Sequence, residues 1–232
     1  MVSALAVYWR LASDILRILG FCFIGVLALW KRLAKPRLII SVNEPDDRNY
    51  QGRPAAEARY LLVSVSNELP PRPLYFHHRK PAVGCKALIT FHTAADGRKF
   101  IDDEMTGRWA RSREPINAVC TNQGTLSYIP DPTVVRDDLD IYAGQQEALD
   151  VAARFDQEDE CYGWNNEAYW SPTLWRSQHW KLPKGEYLVV VTIRTSDGLE
   201  YRDIFKLLNA GTRQDFRLEH ASKEEQRRLP KI

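Results

Sequence analysis

Residues 185–208, GEYLVVVTIRTSDGLEYRDIFKLL, decide the fold. Tyr187, Val189, Val191 and Ile193 recur at every second position, the period of a strand with one face in a core. Ser196-Asp197-Gly198 carries turn chemistry, because Gly tolerates positive φ and Asp bonds its own backbone. Leu199–Leu208 then runs back as a second strand. A hairpin this apolar on alternate positions needs a sheet around it.

The same period recurs outward along the chain. Val83–Thr93 places Cys85, Ala87, Ile89 and Phe91 on one face, and Arg59–Asn67 does so with Leu61, Val63 and Val65. Glu147–Phe155 offers Leu149, Val151 and Ala153 as an inward set. Leu38–Val42, Val134–Ile141 and Thr125–Ile129 read as shorter strands. Ala95-Asp96-Gly97-Arg98 is a hairpin turn that returns Lys99–Trp109 as a strand. Glu44–Ala58 and the proline-rich Glu68–Pro81 read as loops. Roughly seven to nine strands without intervening helices predict a mainly β fold, an antiparallel β-sandwich. Residues 38–218 form that domain, and residues 219–232 a charged tail or short helix.

Several runs carry a resemblance: Val65-Ser66-Asn67, Pro81-Ala82-Val83-Gly84-Cys85, Arg108-Trp109, Leu149-Asp150-Val151 and Leu182-Pro183-Lys184-Gly185-Glu186-Tyr187. Together they resemble prokaryotic proteins with an immunoglobulin-like β-sandwich beside one or two membrane helices. The resemblance covers residues 59–208. It implies a fold and no chemistry. The Cys and Trp positions do not make the antibody-type Cys…Trp…Cys framework.

Before the domain lies Ile18–Trp30, ILGFCFIGVLALW, an uncharged run closed by Lys31 and Arg32. With no Pro between Ala4 and Leu33, residues 1–37 predict one long helix, ended by Pro36. Ile18, Phe21, Phe23, Leu27 and Trp30 supply its apolar surface. Lys31 and Arg32 snorkel at its end. The run covers about 20 Å of a ~30 Å hydrocarbon layer, so flanking residues must extend it to span. A single-pass signal-anchor is the leading expectation. A buried core helix, an in-plane interfacial helix and a cleaved signal peptide compete with it, and LALWKRLA lacks a small-x-small cleavage site. Lys31, Arg32, Lys35 and Arg37 outnumber Arg10 and Arg17, which puts the C-terminal domain in the cytoplasm. The lipid bilayer is then one partner. The Arg10–Asp14–Arg17 face allows self-association through the helix, whereas Gly20 and Gly25 miss the G-x-x-x-G spacing.

The chain has 232 residues and a net charge of +2. Its basic excess sits before Leu38, and acids outnumber bases beyond it, which excludes a bulk drive toward nucleic acid. Cys22, Cys85, Cys120 and Cys161 show no C-x-x-C spacing and leave an odd number in the domain, which favours a reducing compartment.

No nucleophile elbow, P-loop or dinucleotide fingerprint is present. No catalytic residue, metal site or cofactor is assigned. His77 and His78 are neighbours in a loop without a third ligand. His92 reads as an exposed strand residue and Cys85 as core. Asp156–Glu160 is acidic enough to hold a hard cation but lacks the Gly-punctuated spacing of a calcium loop, and a solvated acidic loop is the blander reading. The aromatic stretch that follows is the candidate binding surface: Tyr162, Trp164, Asn165, Tyr169, Trp170, Trp175, His179 and Trp180. Aromatics among amides and acids suit recognition of a peptide, sugar or base, and equally suit capping one end of the fold.

These readings favour a membrane-anchored, non-catalytic binding or sensor module that presents a β-sandwich to another protein or a regulatory ligand. One alternative is an effector that perturbs membranes by oligomerising its N-terminal helix. Another is a hydrolase using Asp102, Asp103 or Glu104 with His179.

Overall fold

The computed structural model describes residues 17, 20–25, 27–49, 57–70, 79–120, 126–156, 158–171 and 175–230. They divide into two compact units, one drawn from residues 1–36 and 69–80, the other from 37–68 and 81–232.

In the first unit, residues 20–25 and 27–33 are helical. No helix among the described residues is long and apolar enough to cross a membrane. This corrects the transmembrane, single-pass and signal-anchor expectation, together with the cytoplasmic topology derived from it. A helix over 20–33 rises about 21 Å, short of a ~30 Å hydrocarbon layer. Phe21, Phe23, Leu27 and Trp30 lie exposed along it, with Lys31 and Arg32 in its last turn. Ile18, Arg10 and Asp14 lie outside the described residues, as do His77 and His78.

The second unit is mainly β and antiparallel. Its early strands are β1 (Leu38–Val42), β2 (Asp46–Asn49), β3 (Glu57–Asn67), β4 (Ala82–Thr93), β5 (Met105–Thr106) and β6 (Arg108–Trp109). The middle of the chain gives β7 (Ile116–Cys120), β8 (Leu126–Pro130), β9 (Asp138–Ile141), β10 (Gln146–Phe155) and β11 (Cys161–Gly163). The last strands are β12 (Lys181–Leu182), β13 (Gly185–Arg194), β14 (Glu200–Asn209) and β15 (Arg217–His220), followed by a helix over Lys223–Arg228. One sheet runs β1-β3-β10-β11-β12, with β2 beside β3 and β6 beside β10. The second runs β15-β14-β13-β4-β5, with β9 beside β4, and β7-β8 is a separate hairpin.

The alternation places side chains as the period requires. Leu61, Val63 and Val65 of β3 join Cys85, Ala87, Ile89 and Phe91 of β4 and Tyr187, Val189, Val191 and Ile193 of β13 in one buried cluster. Both sheets therefore contribute to the same core. A bulge between Asp150 and Ala152 breaks the period in β10. Leu149 and Val151 stay in the shared core, while Ala153 and Phe155 turn to the opposite face. The inward set expected for this strand thus holds for its first two members only.

Three other expectations shift. Residues 44–58, read as a loop, contain β2. The long return strand Lys99–Trp109 is only β5 and β6, preceded by bends over residues 100–103 and separated by Gly107. His92 is buried, 3% exposed, although it faces away from the shared core.

Candidate functional site

The sheet of β3 and β10 carries a second, smaller core on its other face. Tyr60 and Leu62 of β3 and Phe155 of β10 pack there against Tyr162, Trp164, Ala168, Tyr169 and Trp175. The segment after β11 crosses that face as a 3-10 turn, Asn166–Trp170, capped by the Asn165 carboxamide, which accepts from the Ala168 amide at 3.3 Å. Trp164 is the hub. Its ring meets Tyr60 at 5.0 Å, Tyr169 at 5.3 Å and Trp175 at 6.4 Å, all edge-on, the favoured aromatic geometry. Trp175 holds φ at 72°, a conformation that bulky residues avoid and that only surrounding packing sustains.

Beneath this cover lies an ion pair. Arg108 Nη1 donates to Asp150 Oδ2 at 2.6 Å, and the two side chains are 1% and 0% exposed. Strand pairing sets them opposite each other, Asp150 against Arg108 and Leu149 against Trp109. The guanidinium lies 5.4 Å from the Tyr169 ring centre. Burial pushes the Asp150 carboxyl up, against the pull of Arg108. Asp150 Oδ1, Arg108 Nε and the indole nitrogens of Trp109 and Trp164 have no hydrogen-bond partner among the described residues. Such a pair contributes little net stability, but removing one partner leaves a bare buried charge.

Its structural consequence lies in the next residues. Arg108 Nη2 donates to the Ser112 carbonyl at 2.6 Å, closing the turn that bears Arg111 and Arg113. The far end of that segment is fixed by the aromatic cover: the Tyr169 hydroxyl donates to Glu114 Oε1 at 3.2 Å and Trp170 Nε1 to the Pro115 carbonyl at 3.2 Å. Residues 108–115 are thus clamped at both ends.

One side of this clamp opens on a cleft of about 680 Å³, lined among others by Trp109, Arg111, Arg113, Arg136, Leu139 and Glu147. Glu147 answers Arg111 at 2.9 Å, and Asp140, also on the wall, accepts from the Gly84 amide at 2.7 Å. Arg113 donates to the neutral Asn117 carboxamide at 3.1 Å, and its charge also acts on the Asp131 carboxylate. Arg136 has no ion-pair partner among the described residues. Both guanidiniums are exposed. The cleft therefore offers two exposed guanidiniums outside any ion pair among the described residues, with Asp131 within the electrostatic reach of Arg113 and the buried Trp109 behind the wall.

The structure brings most of the sequence candidates together as packing. Tyr162, Trp164, Asn165, Tyr169, Trp175 and Trp180 are buried, and Trp170 is exposed at one edge. His179 lies apart. Its Nε2 is 3.1 Å from Asp103 Oδ2, with side chains 53% and 69% exposed. Asp102 and Glu104 share that exposed loop. The pair is in open solvent, where general acid–base chemistry gains nothing from enclosure. The acids of Asp156–Glu160 disperse onto cations: Asp156 on Arg213, Glu158 on Arg176 and Glu160 on Lys181. Among the described residues no group of His, Cys, Asp and Glu is arranged to hold a metal ion.

Arg111, Arg113 and Arg136 were missed as candidates. Their signal was faint, a cluster of arginines in Arg108–Arg113 with Arg136 more than twenty positions away along the chain. Comparison with family models, with curated proteins and with solved structures finds no match. The resemblance over residues 59–208 rests on the quoted runs alone.

Proposed function

We propose that this chain is a non-catalytic binding module that holds an acidic segment of a partner protein in the Arg111–Arg113–Arg136 cleft. In this reading the two sheets pack face to face as an immunoglobulin-like sandwich, a rigid frame from which the clamped turn projects. The aromatic stretch acts through position: it keeps the arginine-bearing turn from collapsing. The observation that carries the proposal is the pair of exposed guanidiniums, Arg113 and Arg136, that form no ion pair among the described residues and line a 680 Å³ cleft. Arginine suits the task because its planar fork meets a carboxylate with two parallel bonds.

The test is fluorescence anisotropy of a labelled Glu/Asp-rich octapeptide against the full chain. Binding that weakens with salt is expected, as for any exposed charge contact. The double variant R113Q/R136Q lowers affinity about tenfold or more, each tenfold being about 1.4 kcal/mol. A variant of Lys206, which sits on β14 with Glu186 and Glu225 as partners, leaves it unchanged. Equal binding by the double variant and the parent protein would discard the proposal.

A further inference from the structure

The second sheet has its own face turned away from the shared core, and a different chemistry lies there. Thr90 and His92 of β4 stand beside Val190 and Leu188 of β13, and Thr192 pairs across to Arg202 of β14. Thr90, His92, Val190, Thr192 and Arg202 wall a cavity of about 320 Å³ together with Lys99, Glu104, Arg194, Glu200 and, on the covering segment, Pro230.

The hydrogen bonds inside fix the protonation pattern. His92 Nδ1 lies 3.0 Å from the Gly97 carbonyl, which can only accept, so Nδ1 carries the hydrogen. Nε2 is then the acceptor in a neutral ring, and the Thr90 hydroxyl donates to it at 3.0 Å. Of the charged groups facing the ring, Arg194 is answered by Glu200 at 3.1 Å. Glu104 is the other acid on the wall. Lys99 bonds only a backbone carbonyl, that of Asp102, at 3.1 Å. Lys99 and Arg202 have no ion-pair partner among the described residues. A partly open cavity with two cations outside any ion pair among the described residues, two hydroxyls and a buried imidazole, beside the acids Glu104 and Glu200, is arranged for an anion with several acceptor oxygens.

We infer that this cavity binds a phosphate-class oxyanion, held by Lys99 and Arg202 and by the hydroxyls of Thr90 and Thr192. Binding takes up a proton. The anion offsets the repulsion that Lys99 and Arg202 exert on an imidazolium, so Nε2 accepts a proton from solvent. Thr90 then accepts from Nε2–H and turns its own hydrogen toward the ligand. No covalent bond changes. The site is independent of the arginine cleft and stands or falls without it.

The experiment is isothermal titration of inorganic phosphate into the full chain near pH 7, in two buffers of different ionisation enthalpy. Saturable binding is expected, with heats that differ between buffers as proton uptake requires. R202Q, at an exposed position, lowers affinity about tenfold, and K99Q does so to a similar extent. H92Q keeps binding and lowers the proton uptake, read from the buffer dependence, to that of the phosphate's own ionisation. Glycerol phosphate run in parallel separates the sources: tighter binding than inorganic phosphate assigns the site to a phosphomonoester, weaker binding to the free ion. No saturable heat up to about 10 mM of either ligand overturns the inference. So does binding that R202Q and K99Q both leave unchanged.

Discussion

The two sheets each turn one face away from their shared core, and each covers that face differently. Over β3 and β10 the cover is a folded aromatic segment, and the charge beneath it is an ion pair. Over β4 and β13 the cover is a six-residue helix with Leu229 and Ala221 against Leu188 and Val190, and the polar group nearby is a neutral imidazole. The difference shows how burial sets the currency of polarity. Where water is fully excluded, a charge survives only with a counter-charge in contact. Under a thin cover, a titratable ring can stay uncharged and exchange with solvent when the cover moves.

The sharpest way to break this contrast is to remove one member of the buried pair. Asp150→Ala leaves Arg108 desolvated without a partner, and the expected loss is about 3–5 kcal/mol in denaturant unfolding. Replacing both, as R108M/D150L, recovers most of that loss, because an apolar pair under an aromatic cover has no desolvation cost. The recovered protein should still lose peptide binding, since the Arg108 bond to Ser112 that shapes the cleft is gone. Loss below 1 kcal/mol for Asp150→Ala would mean that water reaches the pair and that the two covers do not differ.

Next in size is the thin cover itself. Gly97 sits at φ 71°, and a Cβ there would stand 2.2 Å from the Arg228 carbonyl. Gly97→Ala therefore combines backbone strain with displacement of the Lys223–Arg228 helix. A cost of about 1–3 kcal/mol is expected, since the small cover yields by peeling away. Amide exchange should rise at Ala221–Leu229 and at β4 near His92, while the amides of residues 164–170 keep their protection. Equal acceleration over both faces would show the covers to be coupled.

The β content was legible because strands with one face in a core advertise period two, and Cys85–Phe91 and Tyr187–Ile193 keep it without interruption. Where the backbone departs from that period the reading slipped. The bulge at Asp150/Ala152 reversed Ala153 and Phe155, and the second sheet's cover hides His92, read as exposed. The aromatic stretch was legible as composition but not as placement, for a Trp-rich segment has the same residues whether it binds or packs. The spanning helix failed on length, a quantity the apolar run left short from the start. The cleft was least legible of all, because Arg113 and Arg136 come from separate segments and meet only through tertiary contacts.

The smallest expected effect is a pH dependence confined to the thin cover. The Glu225 carboxylate accepts from the Ser222 amide in a capping box whose other bond runs from the Glu225 amide to the Ser222 hydroxyl, and it pairs with Lys206. The Ser222 contacts first, then Lys206, hold its carboxyl down at about 2, from an ordinary 4.5. A depressed acid contributes stability that is present above its unfolded value and is lost as pH falls toward its folded one. His92 behaves alike in sign. Burial chiefly, then Lys99 and Arg202, hold its ring below 6.5, so the unfolded chain binds a proton first and stability declines as pH drops below 6.5. Acidification should therefore loosen this cover in two stages, beginning below 6.5 and again below 4.5. Amide exchange of the Lys223–Arg228 helix, corrected for its intrinsic pH dependence, reads both. H92Q removes the first stage and E225Q the second. The aromatic cover supplies the control: if Trp164 fluorescence moves in the first stage, before any carboxylate titrates, the two faces do not respond independently and the contrast between them fails.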